Sequence, residues 1–359
     1  MEAPEMGRPK DHLELSTPPY KYINRTIVLY DFDSFTIYRN NIHQTSYIMK
    51  FTLAAFGTFC LSTLGAAQLK GFNYGSTDGV GACRTQGDFE NLFTRAQTLV
   101  GNSGFTSARL YTMVQCGTAN SPISAIQAAI NTDTSLLLGL WASAGQDAFN
   151  NELTALSAAI DQYGSALGDR VVGISVGSED LYRISPTGVA NEAGVGADAG
   201  AVIGYIQQVR DVIAGTSLSA APVGHVDTWT AWVLSENAGV VGAVDWLGHN
   251  SFPYFESTLA NPIENAETVF YNALSATEGV SQGKPVWVTE TGWPVEGPTS
   301  NQAVASVANA QSYWKQVGCD LFGSRNTWWY TIADSNVNQQ DISFGIAPDS
   351  NQPLFDVSC

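Results

Sequence analysis

Between residues 69 and 332 the chain repeats one pattern eight times: a short apolar run, then an amphipathic stretch of helical period. No other feature restricts the fold as much. The runs fall at 69–74, 107–112, 135–141, 171–176, about 220–227, 246–252, 284–290 and 327–332. The third (Leu136-Leu137-Leu138-Gly139-Leu140-Trp141) is apolar almost throughout, as a strand covered on both faces must be. Between the first two runs, Phe89, Leu92, Phe93, Ala96, Leu99 and Val100 make one stripe of a helix starting near Asp88. Later helices are expected after Ser121, with Pro122 at the first helical position, and over 147–163. Others carry Val202, Ile206, Val209 and Ile213, or follow Asn261-Pro262 with Ala266, Phe270 and Ala273. The last carries Val304, Val307, Trp314 and Val317 and stops at Gly318. Eight such units close a single (β/α)8 TIM barrel of the α/β class over 68–359. A doubly wound open sheet would want a glycine-rich phosphate loop after its first strand, and the stretch from Tyr74 to Gly81 lacks that spacing.

Upstream of Gln68 the character differs. Residues 1–48 are polar, lack periodicity and hold the chain's only Asn-x-Ser/Thr sequon, at Asn24, so no packed structure is expected there. From Met49 the layout is that of a secretory signal peptide over 49–67: Lys50, an almost uncharged apolar run over 51–64, then the small residues Gly65, Ala66 and Ala67. Met49 is therefore the expected start of the protein. A membrane anchor is the competing arrangement, but a run of about 14 residues is short of the roughly 20 that span a bilayer.

Charge and cysteines bound the working environment. Of 16 Lys+Arg and 33 Asp+Glu, six of each precede Gln68, so the body carries the whole net charge of −17. Such a surface repels nucleic acid and anionic lipid and suits a neutral substrate. A monomer is expected, with no membrane association once the leader is removed. Cys60 lies in the leader, and Cys83, Cys116, Cys319 and Cys359 remain. Four cysteines allow three pairings; Cys83 with Cys116 and Cys319 with Cys359 are favoured because each pair shares a terminus. No Cys or His spacing suggests a metal site, and no cofactor is implied.

The seventh run, Val286-Trp287-Val288-Thr289-Glu290, ends abruptly in a carboxylate, with Gly292 and Pro294 just beyond. The fourth, Val171 through Gly177-Ser178, ends likewise at Glu179. In a parallel barrel both would open on one face, where ligands bind. Two carboxylates there can divide the work of glycosidic cleavage, one protonating the departing oxygen and one meeting the anomeric carbon. Val288-Thr289-Glu290-Thr291-Gly292-Trp293-Pro294 is similar to the signature of glycoside hydrolase family 17, the β-1,3-glucanases of plants and fungi. The resemblance extends from about Leu69 to Cys359, and Val176-Gly177-Ser178-Glu179-Asp180-Leu181-Tyr182-Arg183 resembles the acid/base region of its fungal cell-wall branch. It implies Glu290 as nucleophile and Glu179 as general acid/base of a retaining double displacement on β-1,3-glucan. Either water or a second glucan chain would take the glycosyl group. One departure is Ser178, where many barrel glycosidases place an asparagine that binds the sugar 2-hydroxyl. A glucan-binding wall protein without activity is the reading of another class, and the presence of both glutamates argues against it.

Sugar faces stack on aromatic rings, so a glucan cleft should carry them at strand ends. Trp293, Phe252 and Tyr254, Tyr111 and Trp229 are the candidates. His249 is expected to support the site through hydrogen bonds, Asp180 and Glu296 to be solvated loop charges, and Arg109 to pair with a carboxylate.

Overall fold

Parallel strands close on themselves in chain order in the computed structural model, which describes residues 68–335 and 341–359. The expected leader, the polar stretch before it, the Asn24 sequon and Cys60 lie outside the described residues. The strands are β1 Lys70–Tyr74, β2 Ser107–Leu110, β3 Ser135–Leu140, β4 Val171–Ser178, β5 Val223–Thr228, β6 Trp246–Asn250, β7 Val286–Glu290 and β8 Thr327–Trp329. Phe72 of β1 pairs with Ala108 on one side and Trp329 on the other, which closes the (β/α)8 barrel.

Alternation along each strand sends every second side chain inward. Toward the strands' N-terminal ends the interior is filled by Leu137, Val226, Trp246 and Trp328, with Trp287 stacked on Trp246 at 4.2 Å. Gly224 makes room for this layer, since a Cβ there would meet the Trp246 ring at 2.3 Å. Toward the C-terminal ends the interior turns polar, with Asn73, Arg109, Ser178 and Glu290. One end of the barrel is thus a packed plug and the other a place for chemistry.

The helices cover the outside as the periodicity requires, with local differences. The first spans Gln86–Gln97, begun by a Thr85–Asp88 capping box, and buries Phe89, Leu92, Phe93 and Ala96. Pro122 does not open the second helix: it pairs with Val114 in an antiparallel bridge, and the helix is Ala125–Thr132. After Pro262 a short 3-10 turn, Ile263–Asn265, precedes the helix Ala266–Val280. Gly318 does not stop the last helix either. Val307–Tyr313 runs through a π-turn, Trp314–Gly318, into Cys319–Leu321; Ala310, Tyr313, Trp314 and Val317 make the buried face, while Val304 and Val307 are exposed.

Disulfides join Cys83 to Cys116 and Cys319 to Cys359, the pairing favoured above. The second closes a span of 40 residues and ties the C-terminus to the last helix. Loop-closure entropy assigns it about 4 kcal/mol. Replacing Cys319 and Cys359 by serine should lower the unfolding free energy by about 3–4 kcal/mol in a denaturant titration. An unchanged midpoint would mean that Val357, Phe355 and the Lys315–Asp356 ion pair hold the terminus without it.

Candidate active site

Because all eight strands run the same way, their C-terminal ends share one rim. Each strand contributes the residue at or just past its end, Gly75, Tyr111, Trp141, Glu179, Trp229, Asn250, Glu290 and Tyr330 in turn, to a single cleft of about 840 Å³. Both glutamates line it.

Glu290 ends β7 and is held from below. Arg109 on β2 donates from Nη1 to Glu290 Oε1 at 2.5 Å and to Asn73 Oδ1 at 2.7 Å, and from Nη2 to Ser178 Oγ at 3.0 Å. Asn73 is fixed in turn by donating to the carbonyls of Thr289, Trp328 and Trp329. A guanidinium 1% exposed thus meets a carboxylate 10% exposed in a charge-assisted hydrogen bond that fixes one oxygen of Glu290 against β2. The Tyr111 hydroxyl is buried nearby without a partner among the described residues. Burial, then the Glu290 carboxylate, pushes the phenols of Tyr111 and Tyr330 well above their ordinary values, so both stay protonated beside it.

Glu179 sits differently. It follows β4 in the left-handed region, with φ +62°, after Gly177 at φ +80°. A non-glycine residue there costs of order 1–3 kcal/mol, and such strain collects at functional sites. The turn breaks the strand's alternation and swings the half-buried side chain over the cleft. Burial and the Glu290 carboxylate push the Glu179 carboxyl up to about 7; a hydrogen bond from Asn250 Nδ2 at 3.1 Å opposes them in part. Asn250 Oδ1 accepts from Thr289 Oγ1 at 2.8 Å. The two carboxylates are therefore cross-braced: Glu179 is tied through Asn250 to the residue before Glu290, and Glu290 through Arg109 to the residue before Glu179.

Of the aromatic residues expected at the cleft, Tyr111, Trp229 and Phe252 line it. Trp229 is oriented by donating to Glu256 at 2.6 Å, and Phe252 packs edge-on against Tyr330 and Phe344. Trp293 and Tyr254 do not reach it. Trp293 is 1% exposed, donates to the Val304 carbonyl and packs between Tyr254 and Tyr313; Tyr254 is fully buried and donates to the Pro298 carbonyl. The segment 298–304, whose Pro298 and Val304 carbonyls accept from them, keeps both side chains out of the cleft. Asp180 is also placed otherwise than expected: it is buried, accepting from Ser143 Oγ at 2.6 Å. Glu296 is exposed. His249 is buried with Nδ1 against Thr277 Oγ1, and burial lowers it to about 3, which leaves it neutral.

Trp141, Asn250 and Tyr330 are cleft residues that the sequence did not single out. Their common signal is position, since each is the last residue of its strand or the first beyond it. Arg183 lies 5.3 Å over the Trp141 ring. Glu152, buried under the loop after β2, accepts from Thr112 Oγ1 and from the Met113 N–H and so holds the segment that presents Tyr111. Among the described residues no group of three or more His, Cys, Asp or Glu side chains is placed to hold a metal.

Paired glutamates of unlike environment, in an aromatic-lined cleft at the C-terminal mouth of a barrel, are the arrangement that glycosidic cleavage calls for. The chain belongs to the family of BtgE/BtgC glycoside hydrolase domains, which its residues 71–346 match. It is 55% identical over 313 residues to an Aspergillus fumigatus protein named "Probable glucan endo-1,3-beta-glucosidase eglC", across 87% of this chain and 70% of that one. A "Glucan 1,3-beta-glucosidase" of Saccharomyces cerevisiae is 29% identical across 75% of this chain and 83% of its own. Among solved structures, a glycoside hydrolase family 17 beta-1,3-glucanosyltransferase from Rhizomucor miehei superposes with TM-score 0.65 at 25% identity, covering 81% of this chain and 97% of that one.

Proposed function

We propose that this protein is a secreted, retaining β-1,3-glucan endo-hydrolase of glycoside hydrolase family 17 that remodels the fungal cell wall. The observation that carries the reading is the contrast between its two cleft carboxyls. Glu290, hydrogen-bonded to the buried Arg109 guanidinium, is the nucleophile; Glu179, pushed up to about 7, holds a proton in mildly acidic solution and is the general acid. Glu290 attacks the anomeric carbon as Glu179 gives its proton to the departing glycosidic oxygen, leaving a glycosyl ester on Glu290 and an anionic Glu179. Glu179 then takes a proton from water, the hydroxide oxygen bonds to the anomeric carbon, and Glu290 leaves as carboxylate. Tyr111, Trp229 and Phe252, with Trp141, supply faces for glucose rings along the cleft. Secretion is supported by the leader over 49–67 and by the two disulfides.

A second reading keeps the site and changes the acceptor. The likeness to a glucanosyltransferase favours capture of the glycosyl ester by a sugar hydroxyl instead of water. A product time course on a defined β-1,3-linked gluco-oligosaccharide separates the two. Products only shorter than the substrate at every concentration mark a hydrolase, products longer than it and rising with its concentration mark a transferase, and no turnover rejects both.

A further inference from the structure

His225 and Asp227 alternate along β5 with Val226, which enters the apolar barrel interior; the two polar side chains face outward, beneath the turn that carries Glu179. His225 is fully buried and uses both ring nitrogens. Nδ1 lies 2.6 Å from the Val176 carbonyl oxygen and Nε2 3.0 Å from Asp227 Oδ2. A carbonyl oxygen can only accept. The Asp227 carboxylate also takes the backbone N–H groups of Leu181 at 2.9 Å, Tyr182 at 3.2 Å and Thr228 at 2.8 Å, so it faces His225 as an acceptor too. Both imidazole nitrogens must therefore carry hydrogen. Burial alone would lower the imidazole, but the Asp227 hydrogen bond, the Asp227 and Asp180 charges and the Val176 carbonyl outweigh it and hold it above its ordinary value.

What these contacts support is the strained turn. The Glu179 N–H donates to the Val226 carbonyl at 2.9 Å, while Asp227 holds the N–H groups two and three residues further on. Consecutive residues of β5 thus grip the chain on both sides of a glutamate at φ +62°, a conformation that persists only where its surroundings over-determine it. We propose that His225, held as an imidazolium between the Val176 carbonyl and Asp227, is a positioning residue for the acid/base Glu179. It locks Asp227 against the end of β4 and balances one of the two buried carboxylates beneath the turn. The other is Asp180, whose Oδ1 accepts from Ser143 and whose Oδ2 has no partner among the described residues. The remaining charged groups near this cluster are Glu179 itself and Arg183, and from the short helix Trp229–Trp232 only the uncharged Trp232 ring packs on the imidazole. The inference rests on Glu179 being the acid/base.

The test is His225→Gln, which keeps a donor and removes the charge. It is assayed on a β-1,3-gluco-oligosaccharide and on an aryl glycoside of the same sugar with an activated phenol, which needs little protonation to depart. The oligosaccharide kcat/KM should fall about 10- to 100-fold, mostly in kcat, and the aryl value several-fold less. The basic limb of the pH profile should move upward, because a lost positive charge raises the Glu179 carboxyl. Equal losses on both substrates with an unmoved limb would overturn the proposal. Glu179→Gln is run beside it. If that variant shows no leaving-group dependence, the acid/base reading fails; if it does and His225→Gln does not, only the positioning role fails. Should His225→Gln not fold, nitrogen NMR of the unaltered protein decides: both His225 ring nitrogens still protonated above the pH at which an ordinary imidazole has lost its proton support the imidazolium, and a singly protonated ring there rejects it.

Discussion

Replacing Glu290 by glutamine should reduce turnover of β-1,3-glucan by on the order of 10⁴-fold while leaving oligosaccharide binding nearly intact. A carboxamide has the shape of the carboxylate and none of its nucleophilicity, and the cleft aromatics that hold the sugar are untouched. The same change leaves Arg109, 1% exposed, without its counter-charge. Removing one partner of a buried pair costs about 3–5 kcal/mol, so the variant should also melt lower than its parent. Binding must therefore be measured well below the melting point, by calorimetry with an unhydrolysed oligosaccharide. Turnover within tenfold of the parent would remove Glu290 from the mechanism. The stereochemistry of rescue then assigns the two roles. With Glu290→Ala, azide can fill the vacated face and displace an activated phenolate directly, giving the α-glycosyl azide. With Glu179→Ala, the ester still forms on Glu290 and azide attacks from the opposite face, giving the β-azide. The two anomers exchanged between the variants would mean the roles are exchanged.

Much of this arrangement was legible in the sequence, and what was not has identifiable causes. The barrel could be read because buried parallel strands are apolar throughout and their covering helices are not, a contrast that survives without knowing any contact. Strand ends were less legible. The runs 246–252 and 327–332 extend past the strands' last residues, Asn250 and Trp329, so Phe252 and Tyr330 read as strand although they lie beyond it and line the cleft. Trp293 illustrates the converse error. A tryptophan between Gly292 and Pro294 reads as loop and therefore exposed, but the 298–304 segment, distant from the strand in period and pattern, gives its N–H a carbonyl. Asp180 misled in the same way: adjacent to Glu179 in sequence, it points to the opposite side because the left-handed residue between strand and helix reverses the chain. The sequence carried which residue types stand at strand ends, but not the turn geometry that sorts them into cleft, wall and support.

That turn geometry gives Glu179 an unusual acidity, and with it the second large expected effect. A general acid must hold its proton in the free enzyme, so with its carboxyl pushed up to about 7, kcat/KM should fall as pH rises through about 7. Glu179→Gln should lose about 10²- to 10⁴-fold on a β-1,3-gluco-oligosaccharide and far less on an aryl glycoside with an activated phenol, and its profile should lack that basic limb. A limb that persists at the same pH would assign the titration to another group. The substitution should change stability in the opposite sense to activity. The folded protein binds the Glu179 proton more tightly than the unfolded chain does, so folding is favoured below the ordinary carboxyl value near 4.5 and this advantage is lost as pH rises to about 7. Above that, the parent must ionise a carboxyl against burial and against Glu290, and glutamine need not. One pH unit is worth about 1.4 kcal/mol, and the open side of the cleft screens part of it, so the variant should be more stable than the parent by about 2 kcal/mol at pH 8. At pH 4 the two should be nearly equal. Glu152, also pushed up to about 7 by burial, titrates in both proteins and cancels from the difference. An acid that is held protonated by its surroundings is destabilising once it must ionise, and denaturant titrations of parent and variant at the two pH values measure that cost directly.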